Sequence, residues 1–202
     1  MAVSKSQAAQ PASRLHSAKT ILVVGDSLSA EYGLQRGSGW VALLEQTLLK
    51  EKINANVVNT SISGDTSAGG RARLEALLKQ HQPSHLIIEL GGNDALRGLP
   101  IQQTQDNLSE MTRLAQQSGA RVLLLGMQLP PNYGADYGQA FAAIYSKVAR
   151  THGAALVPFF LKNVADTAQA AFLFQPDRIH PGEKAQPLML ANVWPELRKL
   201  LK

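Results

Sequence analysis

Ile21-Leu22-Val23-Val24-Gly25-Asp26-Ser27-Leu28-Ser29 is the stretch that decides the fold. Four apolar residues, three of them β-branched, run straight into Gly-Asp-Ser, the pattern of a short buried parallel strand that ends in a tight turn. Such a turn lifts one hydroxyl to its tip and makes Ser27 a candidate nucleophile. A serine hydroxyl is a weak nucleophile at neutral pH. The reading therefore requires a general base, a group to orient that base, and donors for a developing oxyanion.

Outward from this strand the chain alternates between two periods. Residues 40–50 carry apolar side chains at 40, 43, 44 and 48, one face of a helix. Residues 55–60 form a second strand that ends in Ser61-Ile62-Ser63-Gly64-Asp65-Thr66-Ser67, and helical spacing follows through Ala72, Leu74, Leu77 and Leu78. A third strand, 85–90, runs into Gly91-Gly92-Asn93-Asp94, which reads as a loop. Helical spacing resumes over 102–117, with Gly119 as a C-terminal stop. Residues 121–127 are the fourth strand, 136–152 a helix and 155–158 a short fifth strand. Gly134 and Gly138 mark a flexible loop between them, and a closing helix begins near Glu183 with Pro187 in its first turn. The prediction is one α/β domain over 20–202, a three-layer α/β/α sandwich around a mostly parallel five-stranded sheet. Residues 1–19, rich in Ala, Ser and Gln, are expected to form a mobile tail. Open sheets of this kind bind ligands at the C-terminal ends of their strands. Here those ends carry Gly-Asp-Ser, Ser-Gly-Asp and Gly-Gly-Asn-Asp.

Composition removes several function classes. The net charge of +5 resides entirely at the two ends: Lys5, Arg14 and Lys19 before residue 20, and Arg198, Lys199 and Lys202 against Glu196 at the other. Residues 20–195 are formally neutral and hold no basic run interleaved with aromatics, so no nucleic-acid partner is expected. With no cysteine, disulfides, thiolate metal sites and cysteine nucleophiles are all excluded. No segment has the roughly 18–20 apolar residues of a membrane span, so stable membrane insertion is not expected. The N-terminus also lacks the apolar core of a secretory signal. The turn after the first strand lacks G-x-G-x-x-G, which disfavours a dinucleotide site.

Of five histidines, four have ordinary explanations. His16 lies in the tail, His81 and His152 sit near helix ends, and His85 opens a strand. His180 stands apart, in the non-periodic stretch Gln175-Pro176-Asp177-Arg178-Ile179-His180-Pro181. On a turn, the three-residue spacing from Asp177 can bring the carboxylate against Nδ1–H, fixing the tautomer whose Nε2 faces Ser27. Candidate oxyanion donors are the backbone N–H groups of Ser27 and Gly64 and the side-chain amide of Asn93. Taken singly, Gly64 and Asn93 are better explained as turn residues.

Together these residues carry a resemblance. Gly25-Asp26-Ser27-Leu28, Gly64 in Ser-Gly-Asp-Thr-Ser, Gly91-Gly92-Asn93-Asp94 and Asp177-x-x-His180-Pro181 look like the four blocks of the SGNH (GDSL) hydrolase family, in order. Residues 59–67, 77–83, 89–94 and 129–134 are similar to its subgroup of bacterial thioesterases, arylesterases and lysophospholipases. The resemblance implies a flavodoxin-like fold, a Ser27-His180-Asp177 triad, an oxyanion hole from Ser27, Gly64 and Asn93, and no metal or cofactor. It also implies a periplasmic or secreted protein, with the cytoplasm as the alternative for a chain without a recognisable signal. The expected substrate is a small-molecule acyl ester or thioester, handled by a monomer. Ala95, Leu96, Met127, Leu129 and Ile179 are candidate walls of an acyl groove, with Gly98 and Pro100 bracketing a movable segment. Leu96 and Met127 are equally readable as core residues. Removal of acetyl groups from carbohydrate would favour exposed aromatics, which at 5% are scarce, and a non-catalytic binding module would lack a nucleophile, base or donor.

Overall fold

The computed structural model describes residues 18–202. The expected tail falls on residues 1–17, outside the described residues, and on Ala18 and Lys19. Lys19 is already strand. β1 spans Lys19–Gly25, because pairing starts with the backbone and does not wait for the apolar run. Lys19 N–H donates to the Asn54 carbonyl at 3.1 Å and Thr20 N–H to Ser84 Oγ at 3.1 Å.

β2 (Ala55–Asn59), β3 (His85–Glu89), β4 (Arg121–Leu125) and β5 (Ala155–Val157) complete the sheet. Its order is β2-β1-β3-β4-β5 and every pairing is parallel. This is the flavodoxin-like order, whose switch point lies between β1 and β3. Strands covered on both faces read as continuous apolar runs rather than alternating ones. Accordingly, Ile21 to Val24, Leu86 to Ile88 and Val122 to Leu125 are all buried.

The helices are α1 (Trp40–Lys50), α2 (Ser67–His81), α3 (Gly92–Leu96), α4 (Ile101–Gln117), α5 (Ala135–His152), α6 (Ala170–Leu173) and α7 (Gln186–Leu200). α1 packs on α7, while α2, α4 and α5 pack side by side as a second group, giving helices on both sides of the sheet. Several elements differ from the sequence expectation, among them β4, which ends at Leu125, and α6, which no period announced. Asn93 and Asp94 lie in α3 rather than in a loop, because five residues are too few to display a 3.6-residue period. Gly138 sits inside α5 rather than in a flexible loop. The last helix is preceded by a 3₁₀ turn, Glu183–Ala185, and begins at Gln186, so that Pro187 occupies the first turn where its missing N–H leaves no gap in the hydrogen bonding.

Asp94 ties α2 to α3 and α4. Its buried carboxylate accepts the Ser67 backbone N–H at 2.8 Å, the Ser67 hydroxyl, and Thr104 Oγ1–H at 3.2 Å. A carboxylate there also meets the positive end of the α2 dipole. β3 is the central strand, and its Ile87 is fully buried. Ile87→Ala should therefore cost about 2–5 kcal/mol of stability in a urea denaturation series. A loss below about 1 kcal/mol would mean that the core around β3 re-closes.

Candidate active site

Ser27 stands on the turn that leaves β1. Asp26 closes that turn by accepting N–H bonds on its backbone carbonyl from Ser29 (3.2 Å) and Ala30 (2.9 Å) and on Oδ1 from Leu28 (3.0 Å). His180 reaches Ser27 from the far end of the chain. Residues 174 and 181 form a small antiparallel bridge, with Gln175 N–H on the His180 carbonyl at 2.7 Å and Gly182 N–H on the Leu173 carbonyl at 2.7 Å. The turn inside this bridge carries Asp177, Arg178 and Ile179. His180 Nε2 lies 3.0 Å from Ser27 Oγ, and His180 Nδ1 lies 2.7 Å from Asp177 Oδ2.

Asp177 also organises its own turn. Its Oδ1 accepts backbone N–H groups from His180 (3.0 Å) and Ile179 (2.9 Å). The His180 backbone bond, the Ile179 backbone bond and the His180 ring, in that order, lower the Asp177 carboxyl to about 2. It is thus a carboxylate throughout the working range of an enzyme. On the other side of the ring, Tyr32 lies tilted against His180, with centroids 4.3 Å apart. His16 lies outside the described residues, and the other three histidines have the ordinary places expected. His81 and His152 end helices, and His85 is a buried strand residue between Ser84 and the Leu200 carbonyl, its protonation disfavoured by burial.

The three candidate oxyanion donors come from the ends of three adjacent strands. The turn after β2 is laid across β1, with Thr60 N–H on the Val23 carbonyl (2.9 Å) and Ile62 N–H on the Gly25 carbonyl (3.0 Å). Gly64 has a φ of +78°, a left-handed conformation that favours glycine. Its carbonyl accepts Arg97 Nη2–H at 2.7 Å. Two further bonds brace the loop from α2, Arg73 Nε–H to Asp65 Oδ2 (3.0 Å) and Arg73 Nη1–H to the Thr60 carbonyl (2.6 Å). Among the described residues, the N–H groups of Ser27 and Gly64 have no acceptor. Asn93 Nδ2 donates to Asp26 Oδ2 (2.8 Å) and to the Asp65 carbonyl (2.9 Å), which engages both amide hydrogens in the free protein.

The candidate groove residues separate into two kinds. Leu96 is 45% exposed and Ile179 54% exposed, while Leu129 packs partly buried on the core. Ala95 and Met127 are core residues with little surface of their own, because the short helix α3 turns its Ala95 side inward. Sequence reasoning missed Glu89, Tyr32 and Arg97. For Glu89 the signal was present, a single acid closing the otherwise apolar strand Leu86-Ile87-Ile88. For Tyr32 and Arg97 there was none, since only the course of the loops brings them to the His180 ring and the Gly64 carbonyl.

With this geometry in place, comparison with known proteins is decisive. A family profile described as "GDSL-like Lipase/Acylhydrolase family" matches residues 23–187. The chain belongs to the GDSL-like lipase/acylhydrolase family. Esterase TesA of Pseudomonas aeruginosa is 54% identical over 184 residues, covering 91% of this chain and 90% of that protein. Thioesterase 1/protease 1/lysophospholipase L1 of Escherichia coli K12 is 44% identical over 188 residues, covering 93% and 88%. Among solved structures, the psychrotrophic esterase EstA from Pseudoalteromonas sp., inhibited by monoethylphosphonate, superposes with a TM-score of 0.84 at 40% identity over 91% of this chain and 98% of that one. The matched segment spans all four motif blocks of this chain.

The depressed Asp177 carboxyl generates a test. A group whose folded value lies below its ordinary 3.8 stabilises the fold fully above that pH and loses its contribution as pH falls towards about 2. The stability advantage of wild type over Asp177→Asn should therefore narrow between pH 4 and 2 in denaturant melts. At neutral pH the same variant should lose roughly 100- to 10,000-fold in kcat on an ester substrate. An unchanged kcat would remove Asp177 from the site.

Proposed function

We propose that this chain is a serine hydrolase that cleaves carboxylic esters and thioesters of medium to long acyl chains through an acyl-enzyme on Ser27. The observation that carries the reading is the continuous bond path from Asp177 through His180 to Ser27, with two unoccupied backbone N–H groups beside it. His180 Nε2 takes the Ser27 proton as Oγ attacks the acyl carbonyl, and the imidazolium that forms lies against the ionised Asp177. The carbonyl oxygen gains the negative charge and is received by the N–H groups of Ser27 and Gly64 and by the Asn93 amide. Asn93 has to exchange one existing bond for this. The bond to the neutral Asp65 carbonyl is the weaker of its two, since the other is charge-assisted by Asp26.

Collapse of the tetrahedral intermediate breaks the carbonyl carbon's bond to the alkoxide or thiolate, which leaves with the proton held on His180. Water then repeats the sequence on the acyl-enzyme, giving up its proton to His180 and releasing the carboxylic acid and free Ser27. Every step is acid-base and acyl-transfer chemistry that the side chains present can perform.

For the acyl chain, Leu96 and Ile179 form exposed apolar rims on either side of the nucleophile, Leu129 a side wall, and Ala95 with Met127 the floor beneath. The names of the relatives, spanning esterase, thioesterase and lysophospholipase, support a groove that tolerates varied leaving groups.

Hydrolysis of p-nitrophenyl esters and acyl-CoA thioesters from two to sixteen carbons should rise through medium chains and vanish in Ser27→Ala. Full activity in that variant would refute the proposal. Ile179→Ser should raise KM for an octanoyl ester roughly fivefold or more while leaving an acetyl ester little changed. An equal effect on both esters would place Ile179 outside the groove.

A further inference from the structure

Directly beneath the nucleophile turn lies a buried carboxyl that the acyl-transfer steps do not use. Glu89 ends β3 and is 1% exposed. Its Oε2 accepts the Asp26 backbone N–H at 3.2 Å and the Ser29 hydroxyl at 2.8 Å. The direction of the second bond is settled by Trp40. The indole N–H can only donate, and it donates to Ser29 Oγ at 3.2 Å, which leaves the serine hydrogen for Glu89. Glu89 also sets the residue type at 25. A Cβ on Gly25 would come 2.8 Å from Glu89 Oε2 and 2.8 Å from Ser29 Oγ, so only glycine lets the strand pass this close.

The Glu89 carboxyl lies beside that of Asp26, itself 3% exposed, close enough for each to shift the other's proton affinity. Two carboxylates have no hydrogen between them, so one of the pair keeps a proton. Burial settles which one, since Asp26 and Glu89 each accept two donors and Glu89 is the more deeply buried of the two. With two donors converging on Oε2, that atom is the carbonyl oxygen of an acid and the proton belongs on Oε1.

We propose that Glu89 is a positioning residue: as a neutral acid it hydrogen-bonds the Asp26 carboxylate, and through Asp26 it aims the Asn93 amide at the reacting carbonyl. The electrostatic benefit is specific. Asp26 bears one negative charge that steadies the Asn93 amide and the nearby His180, and a second charge on Glu89 would oppose the oxyanion forming above it. Burial, foremost, and then the Asp26 charge push the Glu89 carboxyl well above the usual range, while burial raises Asp26 to about 6. The other titratable groups around the pair are Tyr145 from α5, Asp94 from α3, Asp65 from the β2 loop and His180.

The catalytic part of this inference rests on the serine hydrolase reading; the protonation part does not. Infrared spectra of the folded protein at pH 8, with glutamate carboxyls labelled with carbon-13, should show a protonated-carboxyl stretch that shifts with the label and disappears in Glu89→Gln. Glutamine reproduces a neutral acceptor and donor, so kcat in Glu89→Gln should stay within about threefold of wild type. Glu89→Ala should lower kcat roughly 10- to 100-fold with KM within about twofold. A wild-type spectrum without a glutamic-acid band overturns the proposal whether or not the variants fold. A Glu89→Gln variant that folds but is as impaired in kcat as Glu89→Ala overturns it as well.

Discussion

Parallel pairing on both edges of β1 is the constraint from which the site follows. A parallel neighbour can be reached only by a crossover, so each of β1, β2 and β3 releases its chain at the same edge of the sheet. With β1 between the other two, the loops after β2 and β3 have to flank the turn after β1. Ser27, Gly64 and Asn93 are thereby neighbours in space although they are far apart in sequence. The fourth contributor, the Asp177–His180 turn, is brought back over this edge by α7, whose N-terminal Gln186 accepts the Trp40 backbone N–H at 3.0 Å. Ser27 and the Asp177–His180 turn thus meet at one edge of the sheet although they come from opposite ends of the chain.

Electrostatics refine what topology brings together. The site holds two carboxyls of opposite character. Asp177, half in solvent and surrounded by donors, is held ionised; Glu89, enclosed and beside another acid, is pushed towards the neutral form. The same chemical group is thus held as an anion against the His180 ring and, beneath the Ser27 turn, pushed towards its neutral form. Of the two arginine braces on the Gly64 loop, Arg97 stays exposed, while Arg73 is mostly buried and offsets its desolvation in the ion pair with Asp65.

What was legible in the sequence reflects which physical signals are local. The strands and long helices were readable because burial on two faces or on one face imposes a period. The meeting of Ser27, His180 and Asp177 was readable because the turn residues that present them have few other reasons to occur together. α3 was not, being shorter than two turns. Nor was the pairing of Phe174 with Pro181, which shapes the Asp177 turn without any strand-length pattern. Leu96 and Met127 looked alike in sequence, as apolar residues after strand ends, yet one is exposed and the other buried. Their difference is set by how α3 sits on the core, a tertiary property with no local signature. Residues 1–17, read as a tail, lie outside the described residues.

We propose that the donors from three strand ends converge on one oxygen of a tetrahedral centre bonded to Ser27. The most direct measurement is a crystal structure of the protein after reaction with an ethyl phosphonofluoridate, which leaves a tetrahedral phosphorus in place of the acyl carbon. The expected result is phosphorus bonded to Ser27 Oγ, with one phosphonyl oxygen about 2.7–3.1 Å from Ser27 N, Gly64 N and Asn93 Nδ2 and the Asn93 bond to the Asp65 carbonyl released. Phosphorus on another residue, or a phosphonyl oxygen turned away from Gly64 and Asn93, would contradict it.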